Sequence, residues 1–453
     1  MHKNMRSIIL LFLLLTGHLT YADTSIPSVY VETENQADIV SKEDYINATV
    51  KVIEGDNVSE VLNCEIKGRG NYTWKAYPKK PYKVKFKEKQ SPFGFPPNKK
   101  WVLLADYCDC SLLRSPYMSE LSKAIGLEWT FNYQHVNLYI NNEYVGIYIF
   151  IDQLEKSKNR IVVEDDGFII ENDIYYYQEP LFFTSNTYSF NYSFKYPTTD
   201  GEKAIQEGDE SWIYIVDLVN RVESAILNND EDLPNIIDYD SFAKWYILME
   251  LSLNVEPNIY YVLNKRGDLL KMYPAWDAEW SLGLTYKTIW EGFDWLPFNT
   301  KVPIDAQFWP YNRYFKDLIK DKRFRNKVVE VWDEVKPSVN LVNNKILQVR
   351  NTLESSIEAN FEKWQILGTK LSVSVQAFPT WELYCNEVST FLNDRIEWFD
   401  SYIHSDEFVD ATTIDAIYEG RSNHIYIYNL NGTLANPNSK NRVVITNGKK
   451  IKL

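Results

Sequence analysis

The chain has 453 residues, more than one ordinary core accommodates, so length implies two or three domains or lobes. A hydrophobic fraction of 45% and an aromatic fraction of 15%, with 14 Trp and 32 Tyr, exclude a disordered chain. A formal charge of -14 and a pI of about 5.0 argue against nucleic-acid binding, which needs net basic character. The opening stretch MHKNMRSIILLFLLLTGHLTYAD places His2, Lys3 and Arg6 before an apolar run at 8–15 and a small-residue site ending at Ala22. This pattern predicts a secretory signal peptide over 1–22, cut near Ala22, with an uncleaved anchor as the alternative. The run is too short for a stable bilayer span, and no later stretch reaches the ~18 apolar residues that a span requires. The mature chain is therefore expected to be exported, with no membrane span.

Residues 23–175 read as strand-rich. SVYVET and YINATVKVI are strands, followed by CEIKGRGNYTW and PKKPYKVKFKEK. In the last, Tyr82, Val84 and Phe86 alternate with Lys83, Lys85 and Lys87, a strand with one apolar and one basic face. KKWVLLADYCD is a further apolar strand. CSLLRSPYMSELSKAIG predicts a helix ended by Gly126. HVNLYINNEYVGIYIFIDQL predicts a hairpin turned at Asn141 and Asn142. Together these suggest an antiparallel sheet with one helix.

Residues 176–404 change character. SWIYIVDLVNRVESAIL is helical, and so is DYDSFAKWYILMELSLN, where Asp240 is the expected cap. A strand pair turned at Arg266, Gly267 and Asp268 follows, then helices over 311–335, 340–365 and 381–403. A polar linker at 405–423 leads to a small strand-rich tail at 424–453 with Asn-Gly turns at 431–432 and 447–448. The four cysteines, Cys64, Cys108, Cys110 and Cys385, are too few to be the main source of stability. They read either as one disulfide involving Cys64 or as buried thiols, and no second pair completes a zinc site.

Three groups of residues have the chemistry for a site. In KGRGNYTWKAYPKKPYKVKF, a glycine turn around Arg69 precedes lysines on a strand, an arrangement that holds phosphates; the plain alternative is a turn followed by a solvated strand face. A helix packed on that sheet, carrying Asp109, Arg114 and Glu120, could orient a strand lysine through Glu120, or Glu120 is merely a surface acid. ELSLNVEPNIYYV and YPAWDAEWSLG bring Asn254, Glu256 and Asn258 towards Asp277 and Glu279. Hard oxygen donors of this kind suit a divalent cation completed by phosphates, and the alternative role is turn capping. HExxH, GxSxG and Walker signatures do not occur.

Taken in order, IKGRGNYTWKAYPKKPYKVKF, FGFPPNKKWVLLADYCDCSLLRSPYMSELSKAIGL, VNLYINNEYVGIYIFIDQL, ELSLNVEPNIYYVLN and AWDAEWSLG resemble the CotH kinase family (spore coat protein H-like). The resemblance implies an α+β, atypical protein-kinase-like fold with a strand-rich N-terminal lobe and a mainly helical C-terminal lobe. It also implies use of ATP with Mg2+ or Mn2+ and a secreted or surface protein as phosphoacceptor. By the same resemblance, Arg69, Asn71, Lys79, Lys80, Lys83 and Glu120 bind nucleotide, Glu256 and Asp277 are catalytic, and Asp277, Glu279 and Asn258 hold metal. Glu256 and Glu279 stand where the family carries Asp, one methylene longer each. A displacement of ~1 Å costs orders of magnitude in rate, so a non-catalytic surface or adhesion protein on the same scaffold is the competing expectation. The tail, IYIYNLNGTLANP to RVVITNGKKIKL, is similar to sorting or attachment modules of exported Bacteroidetes proteins.

Overall fold

A computed structural model describes residues 26–200, 204–254, 258–284, 301, 303, 313–371, 376–409, 427–428, 443–446 and 449–452. The signal-peptide segment, Glu256 and both Asn-Gly turns of the tail lie outside the described residues.

The first sheet comprises β1 (Ser28–Thr33), β2 (Ile46–Glu54), β3 (Asn57–Val58), β4 (Leu62–Gly68), β5 (Tyr82–Gln90), β6 (Asn98–Leu104), β7 (Tyr133–Ile140) and β8 (Glu143–Asp152). Its order is β1-β7-β8-β6-β5-β4-β2-β3, and β1 also pairs with β2. That extra pairing closes the sheet into a barrel, with β3 hooked onto β2 outside the ring. The antiparallel sheet expected from sequence is thus corrected in two ways. The sheet has no free edge at β1, and β1 runs parallel to β7. The period-two pattern explains the interior: Val29, Val31, Val50, Ile66, Tyr82, Val84, Phe86, Trp101 and Phe150 fill it. Asn141 and Asn142, both at positive φ, make the β7–β8 turn.

A second, five-stranded antiparallel sheet has the order β10-β11-β9-β12-β13. Its members are β9 (Phe168–Asn172), β10 (Phe182–Thr184), β11 (Asn191–Tyr196), β12 (Ile259–Leu263) and β13 (Lys271–Met272). It draws strands from both sides of residue 175. The tail strands, β14 (Ile427–Tyr428), β15 (Val443–Thr446) and β16 (Lys449–Lys452), form an antiparallel three-stranded sheet.

The helices are α1 (Tyr72–Ala76), α2 (Arg114–Ile125), α3 (Glu210–Leu227), α4 (Tyr239–Ser252), α5 (Arg313–Leu318), α6 (Lys322–Val339), α7 (Val342–Lys363), α8 (Trp381–Ile403) and α9 (Asp406–Val409). The helix expected over 311–335 is in fact two, α5 and α6, separated at 319–321, where Asp321 caps α6. Asp238, not Asp240, caps α4, accepting from the N–H groups of Asp240 and Ser241. Gly126 ends α2 in the left-handed conformation, donating to the carbonyls of Ser122 and Lys123. Buried on nearly every face, α2 packs against α4, α6 and α7. One apolar core joins α2, the second sheet and the helices, while the barrel has its own. All four cysteines are buried free thiols. Among the described residues, no helix is long and apolar enough to cross a membrane.

Candidate functional site

The barrel supplies a cationic wall. Between β4 and α1 the chain turns at Arg69, Gly70 and Asn71. Gly70 has φ 81°, and a Cβ there would lie 2.5 Å from Thr73 Oγ1, so only glycine fits this turn. Lys42 Nζ donates to Asn71 Oδ1 at 2.7 Å. Lys79, just before β5, is buried; its ammonium donates to the Ile147 carbonyl at 2.5 Å and lies 4.8 Å over the Tyr148 ring. Burial pushes Lys79 down to about 8, against the pull of Asp106 and then Glu279. Lys83, on the outward face of β5, is also pushed down to about 8, first by burial and then by Lys100.

The opposite wall is acidic. After β13 the chain buries Trp276 edge-on against Phe131 and turns out at Asp277, which is exposed with φ 57°. The buried Asn254, just past α4, donates through Nδ2 to the Asp277 carbonyl at 3.2 Å. Glu279 accepts from the Cys108 N–H at 3.1 Å, tying this wall to the strap that follows β6. Desolvation, then the nearby Asp106, raises the Glu279 carboxyl well above the usual range. Asp106, buried at φ 40°, accepts from Ser115 Oγ at 3.0 Å and is raised to about 7 by burial and by Asp109. Asp277 raises the proton affinity of Asp106 and Glu279, and Asp106 that of Glu279, with Lys79 opposing this at Asp106, so the group favours a bound positive charge.

The walls enclose a cleft of about 520 Å3. Its lining brings together most of the residues expected from sequence: Arg69, Asn71, Lys79, Lys83, Asn258, Asp277 and Glu279. Two others are placed elsewhere. Lys80 turns away, donating to the Trp74 carbonyl at 2.5 Å and lying over that indole. Glu120 pairs with Lys123 and with Lys345 of α7, because α2 packs among helices and does not lie over a strand lysine. Glu256 lies outside the described residues.

Sequence reasoning missed Asp106, and also a cluster at the far end of the cleft, where Lys195 of β11 contacts Glu171 at 2.8 Å and Glu179 at 2.9 Å. The one local signal for Asp106 was an acid ending the apolar run WVLLAD. No local pattern joins Lys195 to Glu171, since strand pairing alone unites them.

Among the described residues, no group of three or more His, Cys, Asp or Glu side chains could hold a metal ion. What the cleft offers is the other common arrangement for Mg2+: one or two carboxylates on one side, facing cations able to seat phosphates that complete the shell. The donor set is all oxygen and suits a hard divalent ion.

A family model described as CotH kinase protein matches residues 66–399. That range runs from within β4 to the last turn of α8 and includes all of the cleft lining except Lys42 and Glu43. No curated protein matches the chain.

Proposed function

The chain belongs to the CotH kinase family, and from that premise we propose that it is an exported protein kinase. It would transfer the γ-phosphoryl group of ATP to Ser or Thr of a secreted or surface protein. In this reading the fold serves as an atypical two-lobed kinase, with the barrel as the nucleotide-holding lobe. Lys79, Lys83 and Arg69 hold the triphosphate, and the 69–71 turn lies against it. Asp277, with Glu279 and Asn258, would hold a divalent cation, which when bound neutralises charge on the phosphates. Glu256 takes the catalytic-acid position. The acceptor oxygen attacks the γ-phosphorus, the bond to the β–γ bridging oxygen breaks, ADP leaves, and the hydroxyl proton passes to the Glu256 carboxylate. The rest of catalysis is positioning and charge stabilisation.

The observation that carries this reading is the division of charge across one cleft, lysines and Arg69 on the barrel side and Asp277 with Glu279 opposite. Export rests on the leader-like N-terminus, and the tail's similarity to attachment modules suggests retention at a surface. The test is incubation of the mature chain with γ-labelled ATP, Mg2+ and a Ser/Thr-rich acceptor. Label transfer that Asp277→Asn abolishes supports the proposal, whereas a chain showing no thermal shift with any nucleotide refutes it.

One observation favours a second reading. Glu279 is engaged by the Cys108 N–H and its carboxyl is driven towards the neutral form. A chain that binds nucleotide without transferring phosphate would be a pseudokinase serving as a surface or adhesion protein. A nucleotide-dependent thermal shift without label transfer is its signature.

A further inference from the structure

The loop carrying Asp277 and Glu279 is held at its far end by a buried ionic relay outside the cleft lining. Arg114, 1% exposed at the start of α2, donates through Nε to the Ser281 carbonyl at 2.9 Å and through Nη2 to the Leu282 carbonyl at 3.2 Å. Its remaining contacts are ionic: Nη1 with Asp109 Oδ1 at 2.5 Å and Nη2 with Glu387 Oε2 of α8 at 2.9 Å. Asp109 is fixed in turn, accepting from the N–H groups of Ser111, Leu113 and Arg114.

The same short stretch is gripped from other sides. The Leu282 N–H donates to the Ser252 carbonyl at the end of α4 at 2.7 Å. Ser281 Oγ donates to the Ala278 carbonyl at 2.7 Å. Gly283 has φ 82°, and a Cβ there would lie 2.6 Å from Glu387 Oε1 and 2.8 Å from the Phe391 ring. Asp277 and Leu282 also sit at positive φ. Such conformations persist in non-glycine residues only when their surroundings over-determine them.

A buried ion network is a poor way to gain stability, because desolvation offsets most of its attraction. What the guanidinium fork provides is geometry, since two adjacent carbonyls can be seated by one rigid plane. We propose that Arg114 and Glu387 are positioning residues for the metal-binding loop: Glu387 of α8 aims the Arg114 fork, which fixes residues 277–283 so that Asp277 presents its carboxylate to the cleft. This inference rests on the metal-holding role given to Asp277 above.

Terbium provides a readout independent of catalysis, because Trp276 and Trp280 flank the Asp277–Glu279 segment and can sensitise its luminescence. The full mature chain would be titrated with Tb3+ as wild type, Asp277→Asn, Glu387→Ala, Glu387→Gln and Arg114→Lys. Hydrogen exchange would be followed over 277–284, with circular dichroism to confirm folding. The expected result is a loss of Tb3+ affinity of about tenfold in Glu387→Ala and in Arg114→Lys, the low end for groups that orient metal ligands. Glu387→Gln, which keeps the acceptor oxygen, should recover most of it, and faster exchange should be confined to 277–284. A folded Glu387→Ala that binds Tb3+ as wild type does overturns the proposal. If Asp277→Asn leaves Tb3+ binding intact, the metal reading fails by itself and exchange decides: acceleration confined to 277–284 sustains the positioning role, and unchanged or global exchange refutes it. Where Arg114→Lys fails to fold, Glu387→Ala, at a partly accessible residue, carries the test.

Discussion

Gly146 on β8 is the position where a single methyl group tests how the barrel and the helices hold Lys79 together. Its φ is 118°, a region reserved for glycine, and an added Cβ would lie 2.8 Å from Trp364 Nε1, 3.0 Å from Asn360 Oδ1 and 3.1 Å from Lys79 Cε. None of the three neighbours can yield freely. Trp364 Nε1 donates to the Val145 carbonyl at 3.0 Å, Asn360 Oδ1 accepts from the Ile147 N–H at 2.9 Å, and Lys79 is tied to the Ile147 carbonyl. Gly146→Ala should therefore cost about 1–3 kcal/mol in backbone strain and about 1–3 kcal/mol in overpacking. Together that is roughly 2–6 kcal/mol, read by urea denaturation as a lower midpoint at unchanged slope. ATP affinity, measured by calorimetry on the folded fraction, should fall as well, because the methyl group displaces the Lys79 stem. A variant destabilised by less than ~1 kcal/mol would show that strand and helix relax freely, and the clamp on Lys79 would then not exist.

Asp277→Asn should abolish label transfer while leaving thermal stability within a degree or two, because the side chain is exposed and Asn tolerates positive φ. Glu120→Gln should leave ATP affinity and rate unchanged, since its partners are Lys123 and Lys345, away from the cleft. The pH response should split in two. Lys79 and Lys83 titrate at about 8 in the fold against 10.5 unfolded, so the unfolded chain binds more protons between these values and their contribution to stability rises with pH across that window. Phosphate binding needs their ammonium forms and should weaken over the same range, so the melting temperatures with and without ATP should converge from about pH 7 to about pH 9.5. Asp106, raised from 3.8 to about 7, has the opposite sign: the fold binds the extra proton, and stability from this group falls as pH rises through that interval. Asp106→Asn should remove that fall, visible as a higher melting temperature at pH 8 than wild type.

What the sequence made legible was local. Alternation at Tyr82, Val84 and Phe86 reported a strand with a buried face, and the asparagine pair at 141–142 reported its turn, because both signals lie within a few residues. Barrel closure was not legible, since it depends on β1 pairing in parallel with β7, Ser28 beside Asn137, a contact with no local signature. The helix of Glu120 was found, but its neighbours were not. Periodicity gives a buried face, whereas α2 is buried nearly all round and so meets α4, α6 and α7. The candidates that do meet in the cleft, such as Asp277 and Glu279, were picked out because they lie in short polar interruptions of apolar segments, where an uncompensated charge is costly and asks for a reason. Asp106 escaped because its surroundings are made by tertiary contact, with Ser115 of α2 donating to it and Glu279 nearby, and neither stands beside it in the sequence.

The extra methylene of Glu279 acquires a structural meaning from its partner. Asp277 and Glu279 are two residues apart, but they do not face the same way: Asp277 stands exposed in the cleft, while Glu279 reaches the Cys108 N–H on the strap after β6. That strap also carries Asp106 and the Asp109 that engages Arg114. The loop of the acidic wall is therefore fastened to the barrel side through Glu279 and to the helices through Arg114 and Ser252. A shorter Asp at 279 would retreat from Cys108 and free its carboxylate for a cation, exchanging a tie between the walls for a second ligand. On the proposed reading, ligand duty in the chain as it stands would fall chiefly on Asp277. A divalent ion held by one principal carboxylate depends on nucleotide phosphates for the rest of its shell. Metal and nucleotide should then bind cooperatively, each tightening the other by the same factor. Glu279→Asp should weaken that coupling by strengthening binding of the metal alone.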